Sequence, residues 1–243
     1  MISRAYHRHT NIYWTARGMT RFSWSVRLGI IGAGHIGGNI ARRATLAGYD
    51  VTVSFARDRA QLAALAAEIG GTAGEPADAA AADLVVLSVP WGVIDDALAQ
   101  AGSLAGRIVI DTTNQFGRGV TASLDGRTAA RYNADRMPGA YYTKCFNTLT
   151  AGFQAAAANR VEGERVVQWI AGDVPVAKAT VAELVEAAGY VPIDLAGIDG
   201  CGVMEAPRRP GAVYGEEYRK ADAGAVVAAV RAGQPIPPAP AYP

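Results

Sequence analysis

The sequence predicts an α/β protein built on a doubly wound, mostly parallel sheet, with a small helical lobe at the C-terminal end. Two observations carry this. Short runs of Val, Ile and Leu recur at 28–31, 51–53, 83–89 and 107–110, with helical patterns between them. Strands buried on both faces of a parallel sheet read as such continuous runs. The first run also opens directly into a glycine turn, Gly32-Ala33-Gly34-His35-Ile36-Gly37, and a helix.

Residues 1–25 carry Arg4, Arg8, Arg17 and Arg21, with His7 and His9 and no acidic side chain. No apolar core follows these charges, so the stretch does not read as a secretory signal. We expect a basic, disordered leader, with Met19 as an alternative start. A nucleotide-binding domain is expected over 26–195, and the C-terminal lobe with its Pro-rich tail over 196–243.

Val26 to Arg57 forms a strand, glycine turn, helix and second strand in about thirty residues. Gly32 suits the tight turn, Gly34 lets backbone approach a pyrophosphate, and Gly37 lets helix and strand pack closely. The helix start, with His35 and Ile36, offers free amides and a partial positive charge to phosphates. The end of the second strand selects the nucleotide. NAD binders usually carry an acid there for the ribose 2′-OH; this chain has Ser54, then Arg57. A hydroxyl and a guanidinium suit a 2′-phosphate, which points to NADP. Asp58 lies one residue further and is placed to cap the helix starting near Arg59.

Beyond Arg57, Leu62, Leu65, Ala66 and Ile69 keep helical spacing up to Gly70-Gly71, and Thr72 to Ala82 reads as a small-residue connection with a short helical piece. The strand at 83–89 stops at Pro90, and a short helix follows from Trp91 to Ala99. The strand at 107–110 ends in Asp111-Thr112-Thr113-Asn114. A long polar connection, 115–138, is expected to hold one helix near 124–132; connections of this length are often functional lids. Strands are expected at 140–146, 165–171 and 190–195, with helices at 151–159, 175–188 and 221–231. The end from Pro235 should be extended or disordered.

At 243 residues the chain fits one good-sized α/β domain or a domain with a small lobe. Net charge is +1, which gives no basic field for nucleic acid. Cys145 and Cys201 are far apart and show no metal spacing, so we expect no metal and a reducing, cytoplasmic setting. No apolar run approaches the roughly 20 residues that span a bilayer.

Ligands of open α/β sheets bind beyond the carboxyl ends of strands. Four ends matter here: the Gly loop, Ser88 to Trp91, Asp111 to Asn114, and Lys144 to Thr148. Outside the leader the only histidine is His35, beside the expected phosphates, so no histidine stands ready as a general acid. Lys144 and Asp111 are the candidate catalytic proton partners, although the two also read as a structural pair. Asn147 is a further candidate contact to the cofactor. Hydride exchange between two bound redox cofactors needs orientation more than a protein acid, and the histidine count suits that chemistry slightly better.

Several of these segments occur in one order: Ile31 to Gly38, Ser54 with Arg57, Val89-Pro90-Trp91, Ile110 to Asn114, Lys144 to Thr148, and Ala171-Gly172-Asp173. Together they resemble the NADP oxidoreductases of the coenzyme F-420-dependent family, over about 26–195. The resemblance implies a Rossmann domain with a small C-terminal lobe, a homodimer, and hydride transfer between NADP(H) and a deazaflavin, coenzyme F-420. It places the 2′-phosphate on Ser54 and Arg57, and the nicotinamide near Val89, Pro90, Trp91 and Asn114. Residues 200–216 depart from the deazaflavin-binding lobe of that family. Two other readings are kept: an NADPH-dependent reductase of a small carbonyl or imine, and a non-catalytic NADP-binding sensor.

Overall fold

The computed structural model describes residues 11–15, 18–22, 26–117, 120–121, 124 and 126–242. Its centre is an eight-stranded sheet: β1 (Arg27–Ile31), β2 (Asp50–Ser54), β3 (Thr72–Ala73), β4 (Leu84–Leu87), β5 (Ile108–Asp111), β6 (Tyr141–Lys144), β7 (Val167–Gly172) and β8 (Val191–Ala196). The spatial order is β8-β7-β6-β5-β4-β1-β2-β3. Strands β1 to β6 thus follow the 3-2-1-4-5-6 order of dinucleotide-binding sheets, with the reversal between β1 and β4. Strands β1 to β6 are parallel; β7 runs antiparallel to β6, and β8 parallel to β7.

Helices α1 (His35–Leu46), α2 (Arg59–Ile69), α3 (Pro76–Ala80), α4 (Ile94–Ala101), α5 (Ala129–Asp135), α6 (Ala151–Ala157), α7 (Pro175–Ala187) and α8 (Lys220–Arg231) cover the sheet. One core gathers Ile40 and Ala44 of α1, Leu62 and Leu65 of α2, Ala157 of α6 and Val181 of α7. The other gathers Ala79 of α3, Ile94 of α4, Ala130 of α5 and Val226 of α8. Alternate strand residues feed the two cores: Ile30 and Val86 enter the first, Ile31, Val85 and Leu87 the second. That is why β4 is apolar throughout.

Local chemistry sets the boundaries. Asp58 caps α2, accepting from the amides of Ala60 (2.8 Å) and Gln61 (3.2 Å), and Gly70 ends that helix in the left-handed region. The helix expected at 124–132 starts instead at Ala129, because Thr128 caps it through the Arg131 amide. Thr72 and Ala73 form an edge strand on β2 rather than a plain connection; two residues are too short for a periodic signal.

The C-terminal part packs on the second core. Leu195, Cys201, Met204, Tyr218 and Ile236 are buried there with Leu87 and Trp169, and the Trp169 and Tyr218 rings meet edge to face at 5.5 Å. Among its described residues the Pro-rich end has no helix or strand but is held: Tyr218 donates its hydroxyl to the Pro237 carbonyl (3.1 Å), and Tyr242 donates to Asp222 (2.6 Å). Of the leader, Asn11–Thr15 and Gly18–Phe22 pair antiparallel. The disorder expected for its remaining residues lies outside the described ones. Among the described residues no helix is long and apolar enough to cross a membrane.

Candidate active site

The site is built where the sheet reverses. Backbone bonds stagger the strand ends into a rim: the Gly32 amide donates to Ser54 O (3.0 Å), Ser88 to Ile31 O (2.8 Å) and Thr112 to Leu87 O (3.0 Å). The three glycines of the loop do three different things. Gly32 has φ +107°, and a Cβ there would lie 2.3 Å from Ser88 O. At Gly37 a Cβ would lie 2.1 Å from Gly32 O. At Gly34 it would meet nothing within 4 Å. Gly34 therefore leaves an open cradle at the N-terminus of α1, where the first turn holds no acidic side chain and the N-cap makes no side-chain bond. A pyrophosphate fits there. His35 is exposed at this end and Ile36 is half-buried. Val89 is buried beside Gly32, Pro90 is exposed and Trp91 half-buried, so the structure brings the β1 and β4 ends together.

Ser54 does not face this crevice. It is fully buried and donates its hydroxyl to Ile30 O at 3.0 Å. Its expected bond to the 2′-phosphate is corrected: the strand pleat turns the hydroxyl into the sheet. Phe55 then takes a left-handed φ of +55° and redirects the chain. Arg57 emerges exposed, with no hydrogen bond or ion pair among the described residues. A cavity of about 230 Å³ lies beside it, lined in part by Phe55, Arg57, Arg59, Leu62, Glu75 and Pro76.

Asp111 and Lys144, the expected proton partners, are both sealed. Neither side chain reaches solvent. Asp111 accepts from Tyr142 Oη (2.5 Å), the Thr113 amide (2.7 Å), Asn133 Nδ2 (2.8 Å) and Lys144 Nζ (3.3 Å). Lys144 also donates to Thr113 O at 2.8 Å. Burial pushes the Asp111 carboxyl up, but the Lys144 charge and the bonds from Asn133, Tyr142 and Thr113 outweigh it and hold the group below its ordinary range. Burial and the Asp111 charge push the Tyr142 hydroxyl well above its ordinary value. The catalytic role expected of Lys144 and Asp111 meets a sealed pair: they hold each other and the Thr113 backbone, and neither side chain is open to solvent.

Asn114 and Asn147 are likewise turned to the protein. Asn114 Nδ2 donates to Asn147 O (2.8 Å), and Asn147 Nδ2 donates to Met204 O (2.7 Å) and Asn114 Oδ1 (3.2 Å). The Ala206 amide donates to Asn114 Oδ1 at 3.3 Å. The segment at 204–206 thus takes Asn114 Oδ1 and Asn147 Nδ2, while Asn147 Oδ1 is buried without a partner among the described residues. Next to it is a residue that sequence reasoning missed. Glu205 is buried and accepts from the Ala129 (2.7 Å) and Ala130 (2.8 Å) amides, fastening the start of α5. An acid clamping a helix more than seventy residues away has no periodic signal.

Aromatic rings gather beyond the end of β4. Trp91 and Tyr132 lie 5.7 Å apart, and Arg136 stacks over both, at 5.3 and 4.4 Å. The strand Phe116–Gly117 packs against the turn at Trp91–Val93, and Phe116 lies 6.3 Å from Tyr214. Phe116 is 46% exposed.

Residues 27–115 match the family model described as NADP oxidoreductase, coenzyme F420-dependent. Over that stretch the chain carries a domain of the NADP-dependent oxidoreductase type. It is 27% identical over 181 residues to the metalloreductase STEAP3 of Rattus norvegicus, covering 74% of this chain and 36% of the relative. The chain thus spans about a third of the length of that curated relative. It is similar to a solved hypothetical protein, SMa0349 from Sinorhizobium meliloti, with 31% identity, a TM-score of 0.71, and coverage of 81% of this chain and 96% of that one. It shares its fold with a reductive aminase from Aspergillus terreus solved with NADPH and ethyl levulinate, at 21% identity and a TM-score of 0.55, covering 74% of this chain and 57% of that one.

Proposed function

We propose that the protein binds NADP(H) across the sheet reversal and passes a hydride between it and a second planar redox cofactor, a deazaflavin of the coenzyme F-420 type or a related flavin. The observation that carries this is the sealing of Asp111 and Lys144. Reduction of a carbonyl or imine calls for a proton delivered at the reacting atom. Hydride exchange between two ring systems calls for orientation and exclusion of water.

The residues have separable tasks. The amides at the start of α1, opened by Gly34, hold the pyrophosphate. Arg57 holds the 2′-phosphate. Val89, Pro90 and Trp91 wall the nicotinamide. Phe116, Tyr214 and Trp91 offer ring faces to a planar partner, and Arg136 keeps Trp91 in place. When bound, NADPH supplies the hydride; the chain supplies the alignment.

The test mixes the full chain with NADPH and oxidised deazaflavin, and in parallel with a flavin, and follows the absorbance bands of both partners. Joint bleaching of NADPH and acceptor is expected. Oxidation of NADPH by a small ketone or cyclic imine alone would overturn the reading in favour of a carbonyl or imine reductase. Tight NADPH binding without oxidation by any acceptor would make the protein a nucleotide sensor.

A further inference from the structure

The cavity at the end of β2 is bordered by more charge than Arg57. Arg59, the first residue of α2, reaches across it to Glu75, which precedes α3; Arg59 Nη2 lies 2.7 Å from Glu75 Oε1. Glu75 is set in place by its own backbone, since its amide donates to Asp78 Oδ2 at 2.9 Å and Pro76 follows. The two side chains are 81% and 57% exposed, so their bond contributes little to stability. Asp58 is occupied as the cap of α2. Among the described residues the rim thus presents one cation without a partner, one cation held by an anion, and that anion.

We propose that Arg59 and Glu75 are a specificity-determining pair that sets the preference between NADP(H) and NAD(H). A 2′-phosphate carries close to two negative charges at neutral pH. On its arrival Arg59 turns from Glu75 and joins Arg57 on the phosphate, because a forked guanidinium bond to phosphate is stronger than a solvated surface pair. With a 2′-hydroxyl in the same place, Arg59 stays on Glu75, and the second carboxylate oxygen of Glu75 accepts from the hydroxyl. NAD binders take that acid from the end of β2 itself. In this chain the β2 end is the buried Ser54, and the acid comes from the next connection. Glu75 therefore works against the phosphate and for the hydroxyl. The inference rests on NADP(H) being the nucleotide and is independent of the hydride acceptor.

The experiment measures Kd for NADPH and for NADH by fluorescence titration of the full chain, with no acceptor present. Glu75→Gln should tighten NADPH by about 3- to 10-fold and weaken NADH, and Arg59→Ala should weaken NADPH by about tenfold while leaving NADH within about twofold. Thermal midpoints should stay within about 2 °C of the parent, as for exposed surface changes. Equal shifts for both nucleotides in either variant, or weaker NADPH binding by Glu75→Gln, would overturn the inference. If the unaltered chain binds no NADPH, the nucleotide reading falls and this one with it, which separates the two failures.

Discussion

Lys144 and Asp111 stand opposite each other on adjacent parallel strands, 3.3 Å apart from Nζ to Oδ2, with neither side chain reaching solvent. A buried pair is strongly destabilising to break, since the remaining charge has no water to turn to. Lys144→Met should cost about 3–5 kcal/mol of unfolding free energy, read from denaturant midpoints. Turnover lost at unchanged stability would instead make Lys144 a group of the chemistry.

The glycine loop allows fold and binding to be separated. Gly34→Ala should fold normally, since its φ of −78° suits any residue and the added carbon meets nothing within 4 Å. It should nonetheless lose NADPH affinity by about tenfold or more, because the methyl sits where the pyrophosphate approaches. Gly37→Ala should lower the thermal midpoint, since its methyl would press on Gly32 O. Calorimetry with a nucleotide titration distinguishes the two.

Arg57 is exposed and makes no bond of its own among the described residues, so its removal should leave stability unchanged. Charge-assisted bonds contribute about 1.5–3 kcal/mol. Arg57→Ala should therefore weaken NADPH by about 10- to 100-fold and NADH hardly at all. Equal losses for both nucleotides in a binding titration would show that the 2′-phosphate sits elsewhere.

Stability should depend on pH from both sides. Burial pushes the Cys145 and Cys201 thiols up, and Glu205 adds to the effect at Cys201. In the unfolded chain thiols ionise near about 8.5. Above that pH the unfolded state loses protons that the folded state keeps, so stability falls as pH rises, by up to about 1.4 kcal/mol per pH unit for each thiol. Urea midpoints between pH 8 and 10 should fall accordingly, and Cys145→Ala and Cys201→Ala should each flatten the slope. Asp111 acts oppositely. Its folded value is depressed, so its contribution is present above about 3.9 and is lost as pH falls through the lower folded value.

Glu205→Ala should free the start of α5. Two amides, of Ala129 and Ala130, would lose their acceptor. Each buried donor left unpaired costs about 1–3 kcal/mol. Hydrogen exchange at 129–131 should accelerate well before global unfolding, and no change there would refute the clamp.

By itself the sequence determined the strand, glycine turn, helix and strand from Val26 to Arg57, the alternating order that makes the sheet doubly wound, and a resemblance to NADP oxidoreductases that the family model matches over 27–115. These are legible because they are local: glycine spacing, apolar periods and caps such as Asp58 act within a few residues. It also shows a single histidine outside the leader, His35 in the glycine loop. Only the tertiary structure decided which way those ends point. Ser54 faces Ile30, Lys144 faces Asp111, and Asn114 and Asn147 face the segment at 204–206. The physical reason is that a polar side chain at a strand end takes whichever partner the register and the remote chain bring within about 3 Å. Glu205 with α5, and Arg59 with Glu75, are such partnerships. Their members sit in separate elements, and nothing in either stretch alone announces the other.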